Sequence, residues 1–143
     1  MKPVNNNAPV FATKTILINA KPEKIWAKLT NINAWNTWLT TVSQSKLNGP
    51  LQPNTTFDFK AGGIKIHSKL HTVEPCSNFG WTGKVYGISA IHNWTFKNVN
   101  GATEVTVGES MKGFLAILFK KSFNKSLEKD MIKSLDLLKQ TCE

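Results

Sequence analysis

A chain of 143 residues, 41% apolar and 19% charged, has ordinary globular composition and is long enough for one domain with a real core. No apolar run approaches a bilayer span, and the opening Met-Lys-Pro-Val-Asn-Asn-Asn lacks the apolar core and cleavage site of a signal peptide, so a cytoplasmic protein is expected. The basic residues behind the net charge of +9 are all lysines, spread out except for the pair Lys120-Lys121. With no arginine fork and no helix-turn-helix, RNP or zinc-finger pattern, no nucleic-acid partner is expected and the lysines read as a solvated surface.

Residues 1–9 are polar, hold two prolines, and read as a loose N-terminal extension. Val10 to Ala20 alternates, with Ala12, Ile16 and Ile18 on one face, and is the first predicted strand. Pro22 then opens an apolar-periodic segment, where its fixed φ suits a first helical turn; Ile25, Trp26 and Leu29 share a side. A second short helix is predicted over Asn33 to Leu39, with Trp35, Trp38 and Leu39 on one face. The two tryptophans read equally as core and as the lining of a cavity mouth.

Strands separated by turn signals follow. Thr41 to Leu47 ends at Asn48-Gly49-Pro50. Thr55 to Ala61 points Phe57 and Phe59 inward, Asp58 and Lys60 outward, and stops at Gly62-Gly63. Along Ile64 to Val73, Ile64, Ile66, Ser68 and Leu70 face one way; Lys65, His67, Lys69 and His71 face the other. His67 and His71 are thus expected on the solvent side and, with no third ligand evident, not as a metal site. Phe79 to Tyr86, Ile88 to Lys97 and Thr103 to Met111 complete the set. Cys76 and Cys142 match no metal spacing and read as free thiols.

The chain ends in a predicted helix over Gly113 to Cys142. Leu115, Leu118, Phe119, Phe123, Leu127, Met131, Leu135 and Leu138 recur at the helical period and draw one apolar stripe. Such a rod, about 45 Å long, must bury its stripe against something large and apolar. The order of one strand, two helices, six strands and a long helix gives an α+β fold: a curved antiparallel sheet of about seven strands wrapped around the C-terminal helix.

Asn100-Gly101 is the strongest hairpin signal in the chain. A two-residue turn there pairs Val99 with Ala102, Lys97 with Glu104, Phe96 with Val105, Trp94 with Val107 and His92 with Glu109. Opposite charges then meet outside and apolar groups inside, which supports the register. His92 and Glu109 fall beside each other on the inward face. A turn near Tyr86-Gly87 would set Trp81 next to His92.

The chain resembles the START-like (SRPBCC, Bet v 1-like) helix-grip superfamily, and within it the bacterial polyketide cyclase/dehydrase-like group. The resemblance rests on Ile18-Asn-Ala-Lys-Pro-Glu-Lys-Ile-Trp entering the first helix and Trp35-Asn-Thr-Trp in the second. It continues through Ala90-Ile-His-Asn-Trp-Thr-Phe, Thr103-Glu-Val-Thr-Val-Gly-Glu-Ser-Met-Lys-Gly and the closing Leu137-Leu-Lys-Gln-Thr-Cys-Glu. It spans nearly the whole chain, implying a single domain over 1–143, and implies a cavity between sheet and last helix for a lipid, polyketide or isoprenoid-like ligand. It implies no cofactor and does not choose between monomer and homodimer.

Three readings of His92 and Glu109 stay open: a hydrogen-bonded pair that fixes the sheet, a polar anchor for an otherwise apolar ligand, and a general acid/base dyad for cyclisation or dehydration. The other candidate cavity residues are Trp35, Trp38, Phe57, Phe59, Ile66, Ser68, Leu70, Trp81, Trp94, Phe119, Phe123 and Leu127, for most of which plain core packing is the competing reading. The binding reading leads. A cofactor-free cyclase/dehydrase and a chaperone-activator-like module that meets an acidic partner through its lysines are the alternatives.

Overall fold

The computed structural model describes residues 1–143. Seven strands form one antiparallel sheet: β1 (Val10–Ile18), β2 (Val42–Leu47), β3 (Thr56–Ala61), β4 (Ile64–Glu74), β5 (Asn78–Val85), β6 (Ile88–Val99) and β7 (Ala102–Lys112), in the order β1-β7-β6-β5-β4-β3-β2. Consecutive strands from β2 to β7 are neighbours, as short turns require. The connection from β1 to the far edge runs through α1 (Pro22–Thr30) and a 3₁₀ turn (Ile32–Thr37). The short helix expected over Asn33–Leu39 is this 3₁₀ segment, Ile32–Thr37. Its six residues make about two 3₁₀ turns and seat Trp35, whose Nε1 donates to the Leu29 carbonyl at 2.7 Å.

Asn100 and Gly101 both take positive φ, 52° and 88°, and the predicted hairpin register holds at every pair, including His92 opposite Glu109. Trp81 lies opposite His92, also as expected.

The C-terminal segment departs from the single rod. It is two helices, α2 (Phe114–Leu118) and α3 (Lys120–Cys142), broken at Phe119 (φ −108°, ψ 30°). Only the α3 half of the stripe is well buried: Leu127, Met131, Leu135 and Leu138, each worth about 1.5–3 kcal/mol. The periodicity runs through the break because one irregular residue barely changes the count. α3 is tied along β1. Asn124 accepts from the Phe11 N–H and donates to the Pro9 carbonyl, both at 2.9 Å, Lys14 pairs with Glu128 at 2.7 Å, and Lys139 donates to the Leu17 carbonyl at 3.0 Å.

Residues 1–9, expected to be loose, cross the outer face of the sheet. Asn93 Nδ2 donates to the Lys2 carbonyl at 2.7 Å and the Asn5 N–H to Ser110 Oγ at 3.0 Å. Val4 passes over Gly108, where a β-carbon would already be in contact. This strap corrects the reading of His71 as well. His67 is exposed and bonded to Asp58, but His71, at a register shift in β4, is half-buried beside Asn93 with Nδ1 on Thr72 Oγ1 at 2.8 Å. Burial pushes the His71 pKa down, and Lys2 and the N-terminal ammonium push the same way, against the opposing effect of the Asn93 side chain.

Both cysteines are free thiols, Cys142 in the core. Burial raises the pKa of each, which disfavours the reactive thiolate. No helix is long and apolar enough to cross a membrane.

Candidate functional site

The concave face of the sheet and α3 enclose a cavity of about 350 Å³, within the range of small-molecule sites. The opening exists because several inward positions carry small side chains. Ala61, Ser68, Gly83 and Ala90 line it from β3, β4, β5 and β6, and a β-carbon on Gly83 would stand 3.2 Å from Ser68 Oγ. Larger residues there would fill the space between sheet and helix.

Of the residues expected at the site, Trp35, Phe59, Ile66, Ser68, Trp81, His92, Trp94, Glu109, Phe123 and Leu127 line the cavity. Trp35 both borders the cavity and packs in the core: it is nearly fully buried and lies edge-on to Phe57 and Phe59 with ring centroids 5.6 and 5.7 Å away. Four expected residues lie elsewhere. Phe57 and Leu70 are fully buried and Trp38 almost so, but all three pack in the core outside the cavity lining. Inward direction along a strand cannot separate a residue under the cavity from one beneath the neighbouring core. Phe119 sits at the helix break outside the cavity lining, about half exposed.

Residues not singled out from the sequence also border the cavity. Ser126, Asp130 and Ser134 form a polar row along α3. Their spacing of four beside the apolar stripe was a usable signal. Ala61, Gly83 and Ala90 offered none, because a small residue matters only through what faces it.

The polar centre lies on β6 and β7. Glu109 Oε2 is 2.7 Å from His92 Nδ1, and both side chains are mostly buried. The imidazole stacks on the Trp81 indole with centroids 4.4 Å apart and planes at 12°, so ring position and tilt are set from two sides. A carboxylate only accepts, so Nδ1 carries the proton in this pair; in the neutral ring Nε2 then holds the lone pair. His92 Nε2 is buried without a hydrogen-bond partner, as are Ser68 Oγ and Trp94 Nε1. All three residues border the same cavity. Leaving such groups unpaired costs free energy, which a ligand with a matching polar end would recover. No cluster of three or more His, Cys, Asp or Glu side chains is placed to hold a metal ion.

A family model described as polyketide cyclase/dehydrase and lipid transport matches residues 10–143. Among solved structures, the hypothetical protein jhp0584 from Helicobacter pylori is similar over 100% of this chain and 98% of its own, at 15% identity and a TM-score of 0.87. The Zhui aromatase/cyclase from Streptomyces sp. R1128 matches over 92% of each chain, at 8% identity and a TM-score of 0.79. The di-domain aromatase/cyclase StfQ from the steffimycin biosynthetic pathway matches over 93% of this chain and 50% of that one, at 13% identity and a TM-score of 0.80. At these identities the likeness is one of fold. A comparison with curated proteins finds no significant match.

Proposed function

Because the chain belongs to the polyketide cyclase/dehydrase and lipid transport family, we propose that it binds one small, largely apolar molecule between the sheet and α3. Lipids, polyketides and isoprenoid-like compounds are the candidate classes. The observation that carries this reading is the apolar cavity of about 350 Å³ whose lining includes Ser68, His92 and Trp94, each of which carries a buried polar atom without a partner. Apolar walls from Phe59, Ile66, Trp81, Phe123 and Leu127 supply affinity through area removed from water. The polar atoms supply orientation: Trp94 Nε1 donates, His92 Nε2 accepts a ligand hydroxyl, and Ser68 Oγ does either.

A second reading has its own support in the direction of the dyad. With Glu109 on Nδ1, His92 Nε2 is free to take a proton from a bound substrate, as a cofactor-free aldol cyclisation or dehydration requires. Glu109 would steady the imidazolium formed.

Native mass spectrometry of the protein purified from its own host, followed by extraction, tests the binding reading. The expected result is a defined extra mass that disappears in Ser68→Trp, which fills the cavity. An apo mass, unchanged after incubation with lipid and polyketide extracts, would refute it. Loss of turnover with retained ligand in His92→Ala would select the enzymatic reading.

A further inference from the structure

α2 is an apolar element that the fold leaves largely uncovered. It buries Ala116, but Phe114 is 74%, Ile117 64% and Leu118 59% exposed. Phe119 follows, about half exposed. Beside them stands the β5–β6 turn. Gly113 at the base of α2 backs onto the Gly87 carbonyl, and the preceding Tyr86 is 76% exposed. A scattered exposed leucine is ordinary; a run of large apolar side chains on one protruding turn is not, and marks a surface that meets an apolar phase.

The charge along this segment, between Glu109 and Glu128, has one sign. From Ser110 to Leu127 there is no acidic residue, while Lys112, Lys120, Lys121 and Lys125 are all present and exposed. None of the four is in an ion pair. Aromatic and aliphatic side chains at the tip with a collar of lysines form the pattern of an interfacial anchor. The apolar groups enter the headgroup–acyl boundary, and the lysines reach lipid phosphates on their flexible stems. A second copy of this chain would bring the same lysines against one another, a repulsive juxtaposition.

The element also has a telling position. Met111, just before it, and Phe123, just after it, both line the cavity, and the Phe119 and Phe123 rings lie 5.8 Å apart. We propose that α2 and the Tyr86 turn dock the protein reversibly onto a membrane that carries anionic lipid, with this end of the cavity against the bilayer. A ligand would then pass between lipid and cavity without crossing water. Docking does not depend on what fills the cavity, so Ser68→Trp should leave it unchanged even if the binding reading fails.

Flotation with vesicles of phosphatidylcholine containing about 30% phosphatidylglycerol tests the proposal, with pure phosphatidylcholine vesicles as control. The wild-type protein should float with the anionic vesicles and lose most of the association at about 1 M salt, where screening reaches within a few ångströms. Ile117→Asp with Leu118→Asp should lower partitioning by more than about tenfold, as should Lys120→Gln with Lys121→Gln. These side chains are exposed, and urea unfolding of each variant verifies that the fold is kept. Absence of flotation would overturn the proposal, as would flotation that survives the aspartate pair. A concentration-dependent dimer abolished by the same aspartates, without vesicle binding, would overturn it in favour of self-association.

Discussion

The coupling between His92 and Glu109 can be measured directly. Truncating Glu109 to Leu leaves the Nδ1–H of a mostly buried imidazole unpaired; truncating His92 to Leu leaves a mostly buried carboxylate without its partner. Each orphaned group costs about 1–3 kcal/mol. The stack of His92 on Trp81, worth about 0.5–1.5 kcal/mol, disappears both in His92→Leu and in the double variant, so it cancels from the cycle. The double variant removes both polar groups and leaves neither stranded. It should therefore be less destabilised than the sum of the singles, by about 1.5–3 kcal/mol. Urea denaturation resolves this, since about 2 kcal/mol moves the midpoint by roughly 1 M. Additive effects, with a coupling below about 0.5 kcal/mol, would mean that the two groups are solvated separately and that the dyad does not exist in solution.

Two further outcomes are expected. Gly113 has φ 125°, and a β-carbon there would fall 2.4 Å from the Gly87 carbonyl oxygen, so Gly113→Ala should cost more than about 1 kcal/mol in urea unfolding; a loss too small to measure would mean that the β5–β6 turn yields freely. Burial lowers the His71 pKa below the ordinary histidine value of 6.5, so the unfolded chain takes up the proton first; stability should be full above that value and fall as the pH drops through it. Charging the ring would also place it against Lys2 and the N-terminal ammonium, with Asn93 the one facing group that favours the charge. His71→Gln should flatten that part of the stability–pH curve, and an unchanged curve would refute the assignment.

Much of this architecture was written in local chemistry. Asn100-Gly101 demands a tight hairpin because those residues tolerate positive φ, and the two-residue strand period then carries the register out to His92 and Glu109 without further information. The 3.6-residue period placed Leu127, Met131, Leu135 and Leu138 on one buried stripe for the same reason: an angular repeat is a property of the backbone alone. Where the stripe stops being covered is not. Leu118 and Phe119 continue the period but stay about half exposed or more, because burial depends on what covers the helix. The cavity likewise came from tertiary structure. Gly83 and Ala90 make room only because α3 stands opposite them across the cavity, whereas Phe57 and Leu70, equally inward, are backed by core. His71 was displaced from its expected surroundings by a strap more than sixty residues away in sequence. Periodicity assigns a side chain to a face of its own element; what stands opposite that face is decided only when distant segments meet.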